Sequence, residues 1–161
     1  MHFRAAVAIC PDNLRANLNL AASDDSLDNL AAAIERYQMV IYRTSDVDLR
    51  ALAYSNLGFD YRQMGRTAKA KECFETAVQL APYRSRAMVG LGLIAQENGD
   101  LAEAIRQYSR AVAVHPTDVS YLLLARVFGQ AGRLEEAKAA SEHIADAAEA
   151  QKAAASFLSG K

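Results

Sequence analysis

Small and apolar residues recur along the chain at a fixed interval. The segment YSNLGFDYRQMGRTAKAKECFETAVQLAP, which begins at Tyr54, is matched 34 residues later by MVGLGLIAQENGDLAEAIRQYSRAVAVHP. The matched positions are Leu57 and Leu91, Gly58 and Gly92, Gly65 and Gly99, Ala70 and Ala104, Phe74 and Tyr108, Ala77 and Ala111, and Pro82 and Pro116. Such a period predicts a structural unit that is repeated along the chain.

Each copy predicts two helices separated by a turn. Gly65 and Gly99 are placed to end the first helix, because glycine is favoured just beyond a helix C-terminus. Pro82 and Pro116 are placed to end the second helix, because proline cannot continue it. One such pair cannot bury its apolar face alone, so the pairs must stack.

Glycines inside the first helices predict a close helix crossing. Glycine costs about 1 kcal/mol relative to alanine in the middle of a helix, and this cost is tolerable where a second helix must approach Gly58 or Gly92 closely. We expect small residues to face this approach and aromatic residues to fill the wider gap beside it. These residues are Ala70 and Ala104, and Phe74 and Tyr108, respectively.

These residues at this period resemble the tetratricopeptide repeat, whose helix–turn–helix unit carries a leucine-glycine pair, a later alanine, an aromatic residue and a terminal proline. The resemblance implies an all-α fold, an α-α superhelix of stacked antiparallel helix pairs that forms a single domain over 1–161. The predicted segments are the second helix of a truncated repeat at 1–12, a degenerate repeat at 14–47, repeats at 51–84, 85–118 and 118–150, and a C-terminal capping helix or tail at 151–161.

The last copy is shorter by one residue and lacks two features of the pattern. Ser141 stands where the aromatic residue belongs, and no proline ends the second helix. We expect a long or kinked helix whose tail caps the stack, with Phe157 and Leu158 packed inward. A frayed tail after about Ala150 is the alternative.

The copy at 14–47 is degenerate at its turn. Asp28 replaces the turn glycine, and Asp24 occupies a position that is apolar in the next copy. Because an unpaired carboxylate is costly to bury, the first helix is expected to fray near Ser23. Three extra residues before the next copy, with Asp46 as an N-cap, predict a following helix that is longer by about one turn.

The start of the chain matches the second helix of a repeat. Phe3, Ala6 and Pro11 match Phe74, Ala77 and Pro82 in type. This match predicts the C-terminal part of a longer repeat array, and a natural N-terminal cap helix is the alternative. An apolar stripe of Phe3, Ala6 and Ile9 would then be exposed, which predicts a homodimer through this helix.

Composition and charge narrow the function classes. A formal net charge of −1 and a pI near 6.3 give no electrostatic reason to expect nucleic acid as a partner. No apolar run is long enough to cross a bilayer. We therefore expect a soluble, cytoplasmic chain with no direct membrane insertion, and a periplasmic or membrane-tethered parent protein is the alternative.

Candidate catalytic chemistry is sparse. His2, His115 and His143 have no recurrent nucleophile or carboxylate beside them, and Cys10 and Cys73 are too far apart in sequence for metal-ligand spacing. There is no glycine-rich phosphate loop. The sequence thus predicts no catalytic residue, no cofactor and no metal.

The family resemblance implies a binding surface. In this family the first helices of successive pairs line a concave groove that binds peptides or proteins. Carried onto this chain, the groove residues are Asn19, Leu52, Asn56, Phe59, Arg62, Arg86, Val89, Leu93, Gln96, Leu122, Leu123 and Arg126. Apolar side chains with interspersed amides and arginines suit a peptide with some acidic character. Alternatively, some of the apolar residues pack against neighbouring helices.

The sequence therefore predicts a non-catalytic protein–protein interaction scaffold that binds a protein or peptide partner in this groove. Two alternatives remain open. The chain could be an accessory repeat tail of a larger bacterial enzyme or membrane protein, such as a glycosyltransferase, or it could be a self-assembly element.

Overall fold

The computed structural model describes residues 8, 10, 12–23 and 30–159, without the side chains of residues 153 and 156–159. These described residues contain α-helices and no β-strand, which confirms the all-α prediction. The chain divides into two compact units, Met1–Ala81 and Pro82–Lys161. The single domain over 1–161 stays a prediction.

The first unit contains two helix pairs. Its helices are α1 (Leu14–Ser23), α2 (Leu30–Arg43), α3 (Val47–Gln63) and α4 (Thr67–Leu80). Each helix packs against the next one along the chain, and α1 also contacts α3. We call α1 and α3 first helices, and α2 and α4 second helices.

The second unit contains two further pairs and a last helix. Its helices are α5 (Ser85–Glu97), α6 (Leu101–Val114), α7 (Asp118–Gln130), α8 (Leu134–Ser141) and α9 (Ala147–Ser159). Here α5 and α7 are first helices, and α6 and α8 are second helices. The first helix α7 is packed against three neighbours, α6, α8 and α9.

The turn after three of the first helices is built in the same way. Gly65, Gly99 and Gly132 have φ angles of +70°, +77° and +73°, the region that favours glycine. At the first of these turns, the Gly65 N–H donates to the Arg62 carbonyl (2.9 Å) and the Arg66 N–H donates to the Tyr61 carbonyl (2.8 Å). The same pair of bonds closes the other two turns, so each helix ends in a Schellman motif. The predicted role of these glycines is confirmed.

At two of the helix crossings an aromatic ring lies directly against a glycine. A Cβ built on Gly58 would lie 2.6 Å from Phe74 Cε1, and one built on Gly92 would lie 2.5 Å from Tyr108 Cε1. The expectation that the alanines face the glycines is therefore wrong in detail, because the aromatic rings lie directly against them. Ala70 and Ala104 are fully buried on the same second helices.

The extra residues before α3 act as predicted. The Asp46 carboxylate accepts a hydrogen bond from the Leu49 N–H (3.1 Å) and caps the helix. With 17 residues, α3 is about one turn longer than α5 and α7, which have 13 each. The first helix of the degenerate copy is described up to Ser23, and its fraying there stays a prediction. Asp24 and Asp28 lie outside the described residues.

The C-terminal region differs from the prediction of one long or kinked helix. It is broken between Ser141 and Ala147, and the final helix begins before residue 151. The break has a physical cause: the Asp146 N–H donates to Asp118 Oδ2 (2.8 Å), and the Asp146 carboxylate accepts from the Glu149 N–H (2.9 Å). Asp146 thus starts a new helix that packs against α7.

Several terminal residues named above lie outside the described residues. They are Phe3, Ala6, Ile9 and Pro11, together with the side chains of Phe157 and Leu158. The homodimer, the truncated first repeat and the inward packing of the tail therefore stay predictions.

The contact between the Tyr108 ring and Gly92 predicts that the effect of Gly92→Ala on the free energy of unfolding changes sign when the ring is removed. Gly92→Ala should lower the free energy of unfolding by about 1–3 kcal/mol, because the new Cβ collides with the Tyr108 ring. In a Tyr108→Ala background the same change should be stabilising by about 1 kcal/mol, because alanine is the better helix former. Urea unfolding followed by circular dichroism measures both values.

Gly129→Ala is the matched control for this cycle. Gly129 lies in α7 with no atom within 4 Å of a built Cβ, so this substitution should be neutral or stabilising in either background. An equal cost of Gly92→Ala with and without the Tyr108 ring would contradict the ring as the cause.

A second packing prediction concerns the buried alanine of α6. Ala104→Phe should lower the free energy of unfolding by about 1–3 kcal/mol through overpacking, because Ala104 is fully buried. Ala102 lies on the same helix and is exposed, so Ala102→Phe should leave the thermal midpoint nearly unchanged. Equal midpoints for the two variants would mean that α6 is rotated relative to this description.

Candidate functional site

The predicted groove residues all lie on first helices. In the first unit, Asn19 is exposed, Leu52 and Arg62 are half-buried, and Asn56 is 9% exposed. In the second unit the polar members stay accessible, since Arg86 and Arg126 are exposed and Gln96 is half-buried. The apolar Leu122 is half-buried as well. The remaining four residues are buried: Phe59, Val89, Leu93 and Leu123.

The expected apolar floor is therefore wrong at these four positions. Phe59 is 4% exposed, and its ring packs edge-on against Phe74 with a centroid distance of 4.9 Å. Leu93 and Leu123 are each 1% exposed. The burial of one such side chain stabilises the fold by about 1.5–3 kcal/mol. Leu123 is buried because α7, on which it lies, is packed against three helices.

A chain of hydrogen bonds links the two first helices of the second unit. The Tyr108 hydroxyl donates to Gln96 Oε1 (2.9 Å), and Gln96 Nε2 donates to Gln130 Oε1 (2.6 Å). These bonds fix which way the Gln96 amide points. They also place the Gln130 amide N–H groups at the exposed end of the chain, where they are available as donors.

Gln130 is a residue that the sequence reasoning missed. It stands 34 residues after Gln96, so the repeat period itself was the signal that could have found it. With Leu122 and Arg126 it forms what we call the α7 stripe (Leu122, Arg126 and Gln130). Successive members are four residues apart and thus share one face of the helix.

The described residues contain no group of three or more His, Cys, Asp or Glu side chains that could hold a metal ion. His115 is exposed at the end of α6, and His143 is stacked on Tyr121 with a centroid distance of 4.7 Å. Among the helices that the structure describes, none is both long and apolar enough for a membrane span.

The two cysteines have different environments. Cys10 is exposed, whereas Cys73 is buried in α4. Burial raises the pKa of the Cys73 thiol to about 11, with a smaller increase from the nearby Glu72 carboxylate and a decrease from Lys69. The thiol is therefore protonated at neutral pH and is a weak nucleophile.

Comparison with protein families decides the identity of the fold. Two models of the tetratricopeptide repeat match residues 49–117 and 90–150, which together span more than half of the chain. The chain belongs to the tetratricopeptide repeat family. The family and the predicted class of stacked helix pairs are thereby confirmed.

One curated relative is much longer than this chain. The human "Protein O-mannosyl-transferase TMTC1" is 32% identical over 94 residues, which are 58% of this chain and 10% of that protein. The chain thus spans about a tenth of the length of this relative.

Solved structures share the fold at low sequence identity. The chain is similar to pilF of Pseudomonas aeruginosa, with a TM-score of 0.74 and 20% identity over 96% of this chain and 78% of that one. It is also similar to YrrB, described as "a TPR protein with an unusual peptide-binding site", with a TM-score of 0.67 and 19% identity over 98% of this chain and 80% of that one. A fold of this kind fits a protein-interaction scaffold.

The raised pKa of Cys73 predicts its reactivity. In a Cys10→Ser variant at pH 9, a thiol at the ordinary pKa of 9.0 would be half ionised, but Cys73 should be only about 1% ionised. Alkylation by iodoacetamide, followed by mass spectrometry, should therefore be slow until the chain is unfolded in urea.

The reciprocal variant, Cys73→Ser, leaves the exposed Cys10 and should react at the rate of a free thiol. In the protein that keeps Cys73, the folded state holds the protonated form of the Cys73 thiol, so this thiol contributes stability that is present below pH 9 and is lost as the pH rises toward 11. Equal alkylation rates of the two cysteines in the folded protein would contradict the burial of Cys73.

Proposed function

We propose that this chain is a non-catalytic protein-interaction module that binds a peptide segment of a partner across α5 and α7. The observation that carries the proposal is the Tyr108–Gln96–Gln130 chain of hydrogen bonds. It orients amide groups at the surface of two successive first helices, and such groups pair with the backbone of an extended peptide.

The α7 stripe supplies the side-chain selectivity. Leu122 is half-buried and offers an apolar contact, whereas Arg126 is exposed one turn later and offers a guanidinium. Arg86 on α5 adds a second exposed arginine to the same unit. The preferred segment therefore carries an apolar side chain and an acidic one.

In the first unit, the accessible members of the predicted set are Asn19, Leu52 and Arg62. Asn56 is buried. The buried Phe59, Val89, Leu93 and Leu123 shape the helices beneath the surface instead of touching the peptide. The peptide-binding site in YrrB supports the use of this fold for such a task.

A second candidate function is an accessory repeat region of a larger enzyme. The similarity to a part of an O-mannosyl-transferase favours it, because the match covers only 10% of that protein. The sequence of the whole gene separates the two candidates. A catalytic domain in the same reading frame would favour the accessory role.

Peptide selection tests the groove. Peptides are selected from a displayed random library on the whole chain, and the affinity of a selected peptide is measured by fluorescence anisotropy. Leu122→Ser and Arg126→Glu should each weaken binding about tenfold, because each removes one side-chain contact with the peptide. Arg126→Glu should also slow association and reduce its salt dependence.

Two substitutions on α8 are matched controls. Leu134 is 69% exposed and Lys138 is exposed, so Leu134→Ser removes a leucine side chain and Lys138→Glu reverses a positive charge on a second helix. They should leave the affinity unchanged. Equal binding by all four variants would place the peptide away from the α7 stripe and overturn the proposal.

A further inference from the structure

A cleft of about 360 Å³ opens within the first unit, between α2, α3 and α4. Gln38 and Ile41 come from α2, and the three residues Tyr54, Leu57 and Tyr61 come from α3. The remaining lining residues come from α4 and are Lys69, Glu72 and Cys73. The volume lies within the range of small-ligand sites in proteins.

The cleft lies on the opposite side of α3 from the predicted groove. Tyr54, Leu57 and Tyr61 follow each other at intervals of three and four residues and share one face of the helix. Leu52 and Asn56 fall about half a turn away on the helical wheel, at 100° per residue. A ligand in the cleft would therefore not compete with a peptide in the groove.

The inside of the cleft is uncharged. Ile41 and Leu57 supply aliphatic surface, and two phenol rings and the protonated Cys73 thiol complete the walls. Tyr61 is 8% exposed, and its hydroxyl accepts a long hydrogen bond from Gln38 Nε2 (3.5 Å). Such walls accept an apolar group and reject a charged one.

Two opposite charges stand at the mouth. The Lys69 ammonium lies 5.6 Å from the centroid of the Tyr61 ring. Glu72 is three residues further along α4, on the same face of the helix. Both are exposed, and both line the cleft.

We propose that this cleft binds a free amino acid with an apolar side chain. The side chain enters between Ile41 and Leu57, the α-carboxylate pairs with Lys69, and the α-ammonium pairs with Glu72. This ligand has one cation, one anion and one apolar group, which match the cation, anion and apolar walls of the site. Because exposed ion pairs contribute little, the dissociation constant falls in the millimolar range.

The test uses L-leucine as the probe and the methyl NMR signals of Ile41 and Leu57 as the readout. L-leucine should shift both signals in a saturable way. N-acetyl-leucine lacks the ammonium and leucinamide lacks the carboxylate, so each should bind about fivefold more weakly. No saturable shift of these two methyl signals would overturn the proposal.

Charge variants assign each end of the ligand. Glu72→Gln should weaken L-leucine about fivefold yet leave N-acetyl-leucine unaffected, and Lys69→Gln should leave leucinamide unaffected in the same way. Lys71 and Glu75 form an exposed ion pair on the same helix but do not line the cleft. Lys71→Gln and Glu75→Gln should therefore leave the affinity for L-leucine unchanged.

Further outcomes separate this site from other ligands and from the groove. If leucinamide bound as tightly as L-leucine, the α-carboxylate would not be recognised. The cleft would then bind the first residue of a peptide, and the proposal of a free amino acid would fail. Leu122→Ser and Arg126→Glu should not change the affinity for L-leucine. If they did, the ligand would lie on the α7 stripe and the proposal would be wrong.

Discussion

The contact between an aromatic ring and a glycine of the facing helix is the constraint on which the pairs α3–α4 and α5–α6 depend. Phe74 and Tyr108 are fully buried, and their rings fill the volume that a Cβ would need at Gly58 and Gly92. The buried Tyr108 also affects the surface, because its hydroxyl donates to the half-buried Gln96 and holds it in place. The packing of α6 on α5 therefore determines the orientation of the Gln96 amide at the surface.

The last pair lacks this constraint and is built differently. Ala125 stands in place of the glycine and Ser141 in place of the ring, so no large side chain has to enter the crossing. Its second helix, α8, has only eight residues, of which only Ala140 is buried. The apolar face of α7 is covered by α9 as well, whose Ala150 and Ala154 are 2% and 1% exposed.

Features that depend on neighbours along the chain could be predicted from the sequence. The turn glycines and the Asp46 cap are of this kind, because each acts within a few residues of itself. The burial of Phe59 and Leu93 could not be predicted in the same way, since it depends on how many helices surround a first helix. The break before α9 depends on a bond between Asp118 and Asp146, which are 28 residues apart.

The Schellman turns have a consequence for how such a chain evolves. Every hydrogen bond that closes the turn after α3 joins residues at most five positions apart, and the turns after α5 and α7 are alike. The turn of each of these pairs thus forms from residues within the pair and needs no contact with a distant segment. A gene can gain or lose one period, or change its outward-facing positions, while the surviving turns still form. Selection is then free to alter the surface of each copy separately.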